Sequence, residues 1–174
     1  MSQADAVITD LNQVLAIRDK QVVPEPVDLA EVCTQAVASL APALAQCGGQ
    51  VRLAIAPGLA VRGTRAYLYS IFDNLFSNAL KYRAAERPLE VSLWAVADGA
   101  GGITISVTDN GVGFDAQQAG VKVFQLYQRF HSRPPGRGIG LFLVKAHVEA
   151  MHGHINVTST VGVGTRFLLS LPAA

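Results

Sequence analysis

The chain has 174 residues, of which 50% are hydrophobic and 16% are charged. This length suits one domain with room for a short appendage, and the composition excludes wholesale disorder. The net charge of +1 at pH 7 gives no overall reason to expect nucleic acid or an anionic membrane as a partner.

Neither membrane insertion nor disulfide bonding is indicated by the sequence. No segment reaches the ~20 consecutive apolar residues of a transmembrane helix, and the first residues lack the basic-then-apolar pattern of a signal peptide. Cys33 and Cys47 would lie about 21 Å apart on one helix, far beyond disulfide reach. We therefore expect reduced, partly buried thiols and a cytoplasmic chain without membrane contact, any anchor of a longer parent protein lying outside these residues.

The first 26 residues are predicted to form a helix followed by a linker. Residues 5–19 carry apolar side chains at helical spacing, namely Val7, Ile8, Leu11, Val14 and Leu15. Pro24 and Pro26 then break the pattern. Nothing nearby in sequence could bury the apolar stripe. Residues 1–26 are therefore interpreted as the remnant of a larger helical bundle plus a linker, ahead of a domain that spans residues 27–174.

The rest of the chain alternates predicted helices and strands. Asp28 and Glu31 form a capping-box pattern before a helix over residues 29–46, which ends at Gly48. The later elements are a strand over 51–55, a helix over 65–82 capped by Thr64, strands over 89–97 and 103–108, a helix over 140–151 and strands over 154–159 and 165–171. This order predicts a two-layer α/β (α+β) sandwich whose mixed, mostly antiparallel sheet carries the helices on one face.

One face of the second predicted helix carries polar side chains beside its apolar stripe. Asn74, Asn78 and Lys81 are four and three residues apart, so they share a face of the helix. An amide oxygen suits Mg²⁺, which usually keeps water and phosphate oxygens as its other ligands, and a lysine one turn on could offset phosphate charge. This helix alone does not decide between such a site and an ordinary solvated face.

A carboxylate and two glycines follow the strand over residues 103–108. In Asp109-Asn-Gly-Val-Gly113 the carboxylate can accept a hydrogen bond from a ligand amino group, while the glycines let the backbone approach closely. Taken alone, the same pattern is also that of an ordinary turn.

A second glycine-rich segment, Gly136-Arg-Gly-Ile-Gly140, leads directly into the predicted helix over residues 140–151. Free amides and the helix dipole attract anions at such an N-terminus, and Arg137 adds positive charge. The preceding segment carries basic and aromatic side chains, namely Phe124, Tyr127, Arg129, Phe130, His131 and Arg133. It is either a lid over phosphates or a solvated loop.

The order of these parts resembles the histidine-kinase branch of the GHKL ATPase superfamily over about residues 27–173. The matching motifs are the N-box (residues 74–82), the first glycine box (109–113), the F-box (Phe124-Gln-Leu-Tyr127), the second glycine box (136–140) and a final glycine motif (162–165). Each motif is weak by itself, whereas their joint occurrence in this order is specific. The resemblance implies the Bergerat ATP-binding fold, with ATP and Mg²⁺ as cofactors.

The resemblance also implies a role for each matched residue. Asn78 corresponds to the Mg²⁺ ligand, supported by Asn74, while Lys81 and Arg129 correspond to phosphate contacts. Asp109 corresponds to the carboxylate that accepts from the adenine amino group. The remaining residues implied to bind nucleotide are Tyr82, packed near the adenine, Thr165 beside it, and Gly111, Gly113, Gly136, Arg137, Gly138, Gly140 and Leu141 in the walls.

Phosphoryl transfer is favoured over hydrolysis by the residue at position 74. Hydrolysing relatives carry a glutamate one turn before the Mg²⁺-binding asparagine, whereas this chain has Asn74, which cannot take a proton from water. Asp73 lies about 100° around the helix from it. The resemblance therefore implies a protein-histidine kinase catalytic domain, in which positioning and charge neutralisation carry most of the catalysis.

The phosphate acceptor of this family is a histidine on a helix hairpin ahead of the catalytic domain. Residues 1–20 resemble only the tail of that hairpin's second helix. The four histidines of the chain lie within the catalytic domain, and His147 is expected at its surface. We therefore expect a chain that binds ATP and ADP but does not phosphorylate itself at the usual site. The implied protein partners are the histidine-bearing dimerisation helices of a parent kinase and, indirectly, a response-regulator receiver domain.

Two rival functions stay open at this point. One is a hydrolysing ATPase of the same superfamily, which phosphate release by the isolated chain would reveal. The other is a non-catalytic interaction module that has kept the fold and lost nucleotide binding. The presence of Asn78, Asp109 and both glycine boxes speaks against the second.

Overall fold

A computed structural model describes residues 23–125 and 138–174. The elements in chain order are β1 (Glu25–Asp28), α1 (Leu29–Cys47), β2 (Gln50–Ile55), β3 (Ala60–Gly63), α2 (Arg65–Lys81), β4 (Glu90–Ala97), β5 (Gly102–Asp109), α3 (Ala116–Ala119), a 3₁₀ helix (Gly120–Phe124), α4 (Gly140–Ala150), β6 (His154–Thr160) and β7 (Gly164–Pro172).

Five strands form a mixed sheet in the order β2-β4-β5-β7-β6. The pair β2–β4 is parallel and the other pairs are antiparallel. Side chains alternate along the central strands between a buried face and a more exposed face. The buried face joins one core with apolar side chains of α1, α2 and α4. The predicted two-layer sandwich with a mostly antiparallel sheet is therefore confirmed.

Local capping explains where the first two long helices begin and where the first of them ends. The Asp28 carboxylate accepts a hydrogen bond from the Glu31 amide at 2.8 Å, and α1 ends at Gly48 with a φ of 64°. The Thr64 hydroxyl accepts from the Tyr67 amide at 3.3 Å. The apolar stripe of α2 is buried in the core, as its helical spacing predicts: Leu68, Ile71, Phe72, Leu75 and Ala79.

A small second sheet pairs β1 with β3 in an antiparallel manner. Neither strand was predicted, and residues 25 and 26, interpreted as linker, lie in β1. Val27 and Val61 are buried, so the pair is held by the core rather than by a long apolar alternation. Val61 also forms a β-bridge with Ala173, which ties this sheet to the end of the chain. Residues 1–22 lie outside the described residues, so the bundle remnant stays a prediction.

Helices α2 and α4 run antiparallel: the start of α4 lies against the middle of α2, and the residue after its end lies against the residue before the N-cap of α2. A Cβ built on Gly140 would lie 2.7 Å from Asn74 Oδ1, and one built on Gly63 would overlap Met151 Sδ. Between these points the rings of Tyr67 and His147 stack with 4.5 Å between their centroids. Because Gly140 starts α4, this packing brings the helix N-terminus to the middle of α2.

His147 was expected at the surface, and that prediction is wrong. Its side chain is 7% exposed, and within the described residues its Nδ1 atom has no hydrogen-bond partner. Burial lowers the pKa of His147 to about 4, so the ring is neutral at physiological pH. The packing of α4 on Tyr67 buries this residue, and that packing cannot be seen in the local pattern of α4.

The two cysteines agree with the sequence-based expectation of reduced, partly buried thiols. Cys33 is buried, Cys47 is half-buried, and both are free thiols. Burial raises the pKa of the Cys33 thiol well above its usual range, with a smaller contribution from Asp28, so that thiol is unreactive. Among the described residues, no helix is both long enough and apolar enough to cross a bilayer.

Candidate nucleotide-binding site

Four segments of the chain meet at one place. The loop after β5 touches the end of α2, since a Cβ on Gly111 would lie 2.5 Å from the Tyr82 carbonyl oxygen. The same loop contacts the β6–β7 hairpin, where the Gly162 amide donates to the Val112 carbonyl at 2.7 Å. The first residue of α4 lies against Asn74. The N-box, the first glycine box, the end of the second glycine box and the final glycine motif are therefore neighbours in space.

The two N-box asparagines lie against the start of α4. The Asn74 side-chain amide donates to the Ser70 carbonyl at 2.7 Å, and its oxygen is directed at Gly140. Asn78 Nδ2 would lie 3.9 Å from a Cβ at Gly140. Any larger residue at position 140 would displace Asn74, so the glycine sets how closely α4 approaches the polar face of α2. The shared face predicted from their spacing is confirmed by this contact.

Asn78 offers an uncommitted amide. Its side chain is half-buried, and it makes no hydrogen bond to any residue that the structure describes. Its oxygen is therefore available to a ligand or to a hard cation without the loss of an internal bond.

Lys81 and Tyr82 contact each other at the end of α2. Lys81 Nζ lies 4.8 Å from the centroid of the Tyr82 ring, a cation–π geometry. Both side chains are half-buried. The Tyr82 carbonyl accepts from the Val112 amide at 2.9 Å, so this residue also anchors the loop after β5. The two predicted ligand contacts therefore lie together at the junction of α2 and the loop.

Asp109 is a partly buried carboxylate at the end of β5. It is paired with Thr165 on β7, and its Oδ1 atom accepts from the Gly111 amide at 2.8 Å. Burial raises the pKa of Asp109, while the amides of Gly111 and Thr165 act in the opposite direction and only partly compensate. A carboxylate kept at such a cost to the fold is typical of a functional site.

Two glycines allow the loop and the hairpin to pack without side chains between them. Gly113 has a φ of 61°, and a Cβ there would overlap the Thr160 carbonyl oxygen. A Cβ on Gly164 would overlap the Asp109 carbonyl oxygen in the same way. Both predicted motifs therefore contain glycines that the backbone packing requires.

Ser159 is a site residue that the sequence reasoning missed. Its hydroxyl accepts from the Phe114 amide at 2.9 Å, donates to the Gly164 carbonyl at 3.0 Å and lies 2.8 Å from the Thr165 hydroxyl. It therefore orients Thr165, which is 9% exposed. The sequence did offer a signal: Ser159 is a polar residue on the face of β6 that otherwise carries the apolar Ile155 and Val157.

Arg87 is the second residue that was missed. It lies between α2 and β4, and its guanidinium donates to the carbonyl oxygens of Asn110 at 2.8 Å, Gly111 at 3.0 Å and Gly162 at 2.8 Å. No periodicity or motif in the sequence singles this arginine out, because its acceptors are backbone atoms of distant loops.

Helix α4 begins without a side-chain cap. Its N-cap residue is the buried Ile139, which makes no capping hydrogen bond, and Gly138 before it has a φ of 70°. Leu141 is partly buried against the core, and Phe124 of the F-box is buried, with Lys145 Nζ 5.9 Å from its ring centroid. The predicted roles of Tyr127, Arg129, Gly136 and Arg137, and the lid residues near His131, lie outside the described residues.

Comparisons with known proteins agree on one family. Residues 63–174 match the family of histidine kinase-, DNA gyrase B- and HSP90-like ATPases. The chain is 30% identical over 147 residues to the phytochrome-like protein Cph1 of Synechocystis, covering 83% of the chain and 19% of that protein. It is 34% identical over 122 residues to the phosphate regulon sensor protein PhoR of Pseudomonas aeruginosa, covering 68% of the chain and 27% of PhoR. The chain thus spans well under two thirds of these relatives.

Solved structures show the same fold. The mycobacterial sensor histidine kinase MprB superposes with a TM-score of 0.76 at 25% identity, covering 87% of the chain and 98% of that structure. Full-length ShkA in complex with AMPPNP superposes with a TM-score of 0.82 at 24% identity, covering 97% of the chain and 35% of ShkA. The resemblance inferred from the motifs is confirmed: the chain belongs to the histidine kinase-, DNA gyrase B- and HSP90-like ATPase family and has the fold of histidine kinase catalytic domains.

Proposed function

We propose that this chain is the ATP-binding catalytic domain of a two-component sensor histidine kinase. It donates the γ-phosphoryl group of ATP to a histidine on dimerisation helices that these residues do not include. The observation that carries the proposal is the packing of the α4 N-terminus against Asn74 and Asn78 of α2. The Asp109 loop lies at the C-terminal end of α2. This arrangement provides an anion site, a metal ligand and a base-binding carboxylate around one helix.

The adenine end is assigned to the Asp109 loop. The carboxylate accepts a hydrogen bond from the exocyclic amino group of adenine, and the Thr165 hydroxyl, oriented by Ser159, lies beside it. Guanine carries an acceptor oxygen at the corresponding position, which would face a carboxylate that has no proton to give. The site should therefore prefer ATP over GTP.

The phosphate end is assigned to α2 and the start of α4. The uncommitted amide oxygen of Asn78 suits a Mg²⁺ ion that keeps water and phosphate oxygens as its other ligands, and such an ion would neutralise charge on the phosphates. Lys81 reaches the phosphates by leaving the Tyr82 ring. The N-terminal amides of α4, which no described side chain caps, add a further anion contact. Arg129, Gly136 and Arg137 are proposed to complete this end.

Transfer is favoured over hydrolysis because α2, within the part of the chain that the structure describes, offers no base toward the proposed phosphate end. Asn74 binds Ser70 through its amide and cannot accept a proton. Asp73 is turned toward α1, where the Ser39 hydroxyl donates to it at 3.3 Å. The acceptor histidine nitrogen would attack the γ-phosphorus, the bond to the β–γ bridging oxygen would break, and ADP would leave. The residues of this chain position the phosphates and neutralise their charge.

The test is phosphoryl transfer in trans. The chain is mixed with the dimerisation helices of its parent kinase and γ-labelled ATP, and acid-labile phosphohistidine is measured together with free phosphate. We expect label on the helices, no efficient phosphate release without them, and loss of transfer in Asn78→Ala but not in Asn156→Ala, an exposed asparagine of β6. Efficient release by the chain alone would support the hydrolase instead. Absence of both activities and of ATP binding would support the interaction module.

A further inference from the structure

Arg87 joins two loops that lie far apart in sequence. Its Nε atom donates to the Asn110 carbonyl, and its Nη2 atom donates to the carbonyls of Gly111 and Gly162, with the Val163 carbonyl at a longer 3.5 Å. The first two acceptors belong to the first glycine box and the other two to the β6–β7 hairpin. One planar guanidinium thus bridges the two walls of the proposed adenine end.

The segment around Arg87 holds the glycine box through further bonds. The Asn110 side chain donates to the Pro88 carbonyl at 3.0 Å and accepts from the Glu90 amide at 2.9 Å. These contacts and the guanidinium together hold Asn110 and Gly111 against residues 87–90. The Gly111 amide donates to Asp109 Oδ1. The position of the Asp109 carboxylate therefore depends on how firmly Gly111 is held.

The geometry calls for arginine rather than for positive charge alone. Carbonyl acceptors on two loops are reached by Nε and Nη2 of one rigid plane, which an ammonium group on a flexible stem cannot reproduce. The Glu86 carboxylate, 3.7 Å from Nη1, is the nearby counter-charge, and the Arg87 side chain is 33% exposed. Water can therefore replace part of the lost bonding, so a variant should fold with a looser loop.

We propose that Arg87 is a positioning residue for nucleotide recognition. It acts through the Asp109 loop by holding that loop against the hairpin, and it does not touch the phosphates. The inference rests on the proposed function, since it assigns a role within that nucleotide site. Loss of Arg87 weakens the binding of every adenine nucleotide by the same factor, because the defect lies at the end of the site that binds the base. It raises KM for ATP and leaves kcat at saturating ATP unchanged.

The experiment compares Arg87→Met and Arg87→Lys with Arg83→Met. Arg83 is an exposed arginine four residues earlier whose guanidinium, among the described residues, makes one local hydrogen bond, to the Leu80 carbonyl, so it is a matched control. ADP and ATP affinities are measured by calorimetry, and exchange of the Gly162 amide, which donates to Val112, by NMR. We expect Arg87→Met to weaken ADP and ATP equally, by about tenfold. Exchange at Gly162 should speed up, Arg87→Lys should recover part of both effects, and Arg83→Met should match the wild type.

Several results would overturn the inference. Wild-type affinity and exchange in Arg87→Met would do so while leaving the proposed function intact. A larger loss of affinity for ATP than for ADP, or a fall in kcat in the transfer assay described above, would place the effect at the phosphate end. If Arg87→Met does not fold, Arg87→Lys decides. Full wild-type behaviour of Arg87→Lys would refute the claim that the planar guanidinium, rather than its charge alone, is required. Failure of the wild type to bind ADP would instead refute the proposed function and, with it, this role.

Discussion

The two ends of the candidate site are built in different ways. At the Asp109 end, backbone atoms of two loops touch directly, through Gly113 and Gly164 and through the carbonyls bound by Arg87. At the α2 end, the functional groups are side chains on a helix face. The Asn78 side chain makes no hydrogen bond to a described residue, and Lys81 Nζ lies over the Tyr82 ring. The end proposed to bind adenine is therefore fixed by packing, whereas the side chains of the end proposed to bind the phosphates are free to rearrange around a ligand.

This difference suits the two parts of a nucleotide. A flat base is recognised by shape and by one or two directed hydrogen bonds, which require a preformed loop. Phosphates carry charge that is redistributed during transfer, and long side chains and a metal ion can follow it. Four predictions test the contrast between a packed end and an adaptable end.

The largest effect is expected when the packed end is filled. Gly113→Ala places a methyl group on the Thr160 carbonyl in a backbone conformation with positive φ. We expect a loss of about 3 kcal/mol or more in the free energy of unfolding, measured by urea denaturation. Gly162→Ala is the control, since Gly162 has a φ of 79° and open space around it, and it should lose only about 1 kcal/mol. Equal losses would show that the overlap with Thr160 does not hold the loop.

A smaller effect concerns acid stability of the α2–α4 contact that supports the phosphate end. The pKa of His147 is about 4 in the fold, against about 6.5 for an unperturbed histidine. The unfolded chain therefore takes up the proton first, and stability present above pH 6.5 is lost as pH falls toward 4. We expect a loss of about 2 kcal/mol from this group between pH 7 and pH 5, measured by urea denaturation.

The variant His147→Phe keeps a ring against Tyr67 and removes the titrating group. Its free energy of unfolding should change less between pH 7 and pH 5 than that of the wild type. The exposed His154 provides the control, and His154→Gln should retain the wild-type loss. An identical pH dependence in His147→Phe and the wild type would contradict a buried His147 ring that stays neutral in the fold.

A third prediction separates the two ends by ligand. Lys81→Met removes the ammonium group that rests on Tyr82. We expect about fivefold weaker binding of ATP, roughly 1 kcal/mol, because the partly exposed ammonium group no longer attracts the phosphates. Adenosine should bind as before, measured by competition, and so should ATP in Arg52→Met, an exposed cation on β2. An equal loss for adenosine and ATP would show that Lys81 supports the loop.

The smallest effect is a gain in stability at the packed end. Burial raises the pKa of Asp109, so its charge opposes folding in the ligand-free protein at neutral pH. Asp109→Asn keeps an acceptor for the Gly111 amide and should raise the free energy of unfolding by about 0.5–1 kcal/mol, seen as a higher Tm. Asp98 is the contrast, because amides of Ala100 and Gly102 lower its pKa, and Asp98→Asn should lower the Tm. A larger fall in Tm for Asp109→Asn than for Asp98→Asn would contradict the claim that the buried charge of Asp109 opposes folding.

Elements with local signals were predicted closely from the sequence. The caps at Asp28 and Thr64 and the apolar stripe of α2 are short-range features, and the three long helices begin and end within a residue or two of the expected positions. The pair β1–β3 was missed because its strands have four residues each and one contains Pro26. Strands this short have too few alternations to stand out from a loop.

The site was predictable where chemistry is carried by motifs and unpredictable where it depends on tertiary contacts. Asn74, Asn78 and Asp109 stand in recognisable patterns, and the structure brings them to neighbouring segments. The contacts of Arg87 join residues 75 positions apart through backbone atoms, which leave no trace in residue types. The burial of His147 likewise follows from the packing of α4 on Tyr67.

The most direct measurement is a calorimetric titration of the chain with ATP in the presence of Mg²⁺. We expect micromolar binding by the wild type and by Asp98→Asn, on the order of −8 kcal/mol. Asp109→Asn should bind about ten- to a hundredfold more weakly, because it can present a donor to the adenine amino group. No binding at millimolar ATP, or equal binding by Asp109→Asn and the wild type, would contradict the assignment of this loop to the adenine end of a nucleotide site.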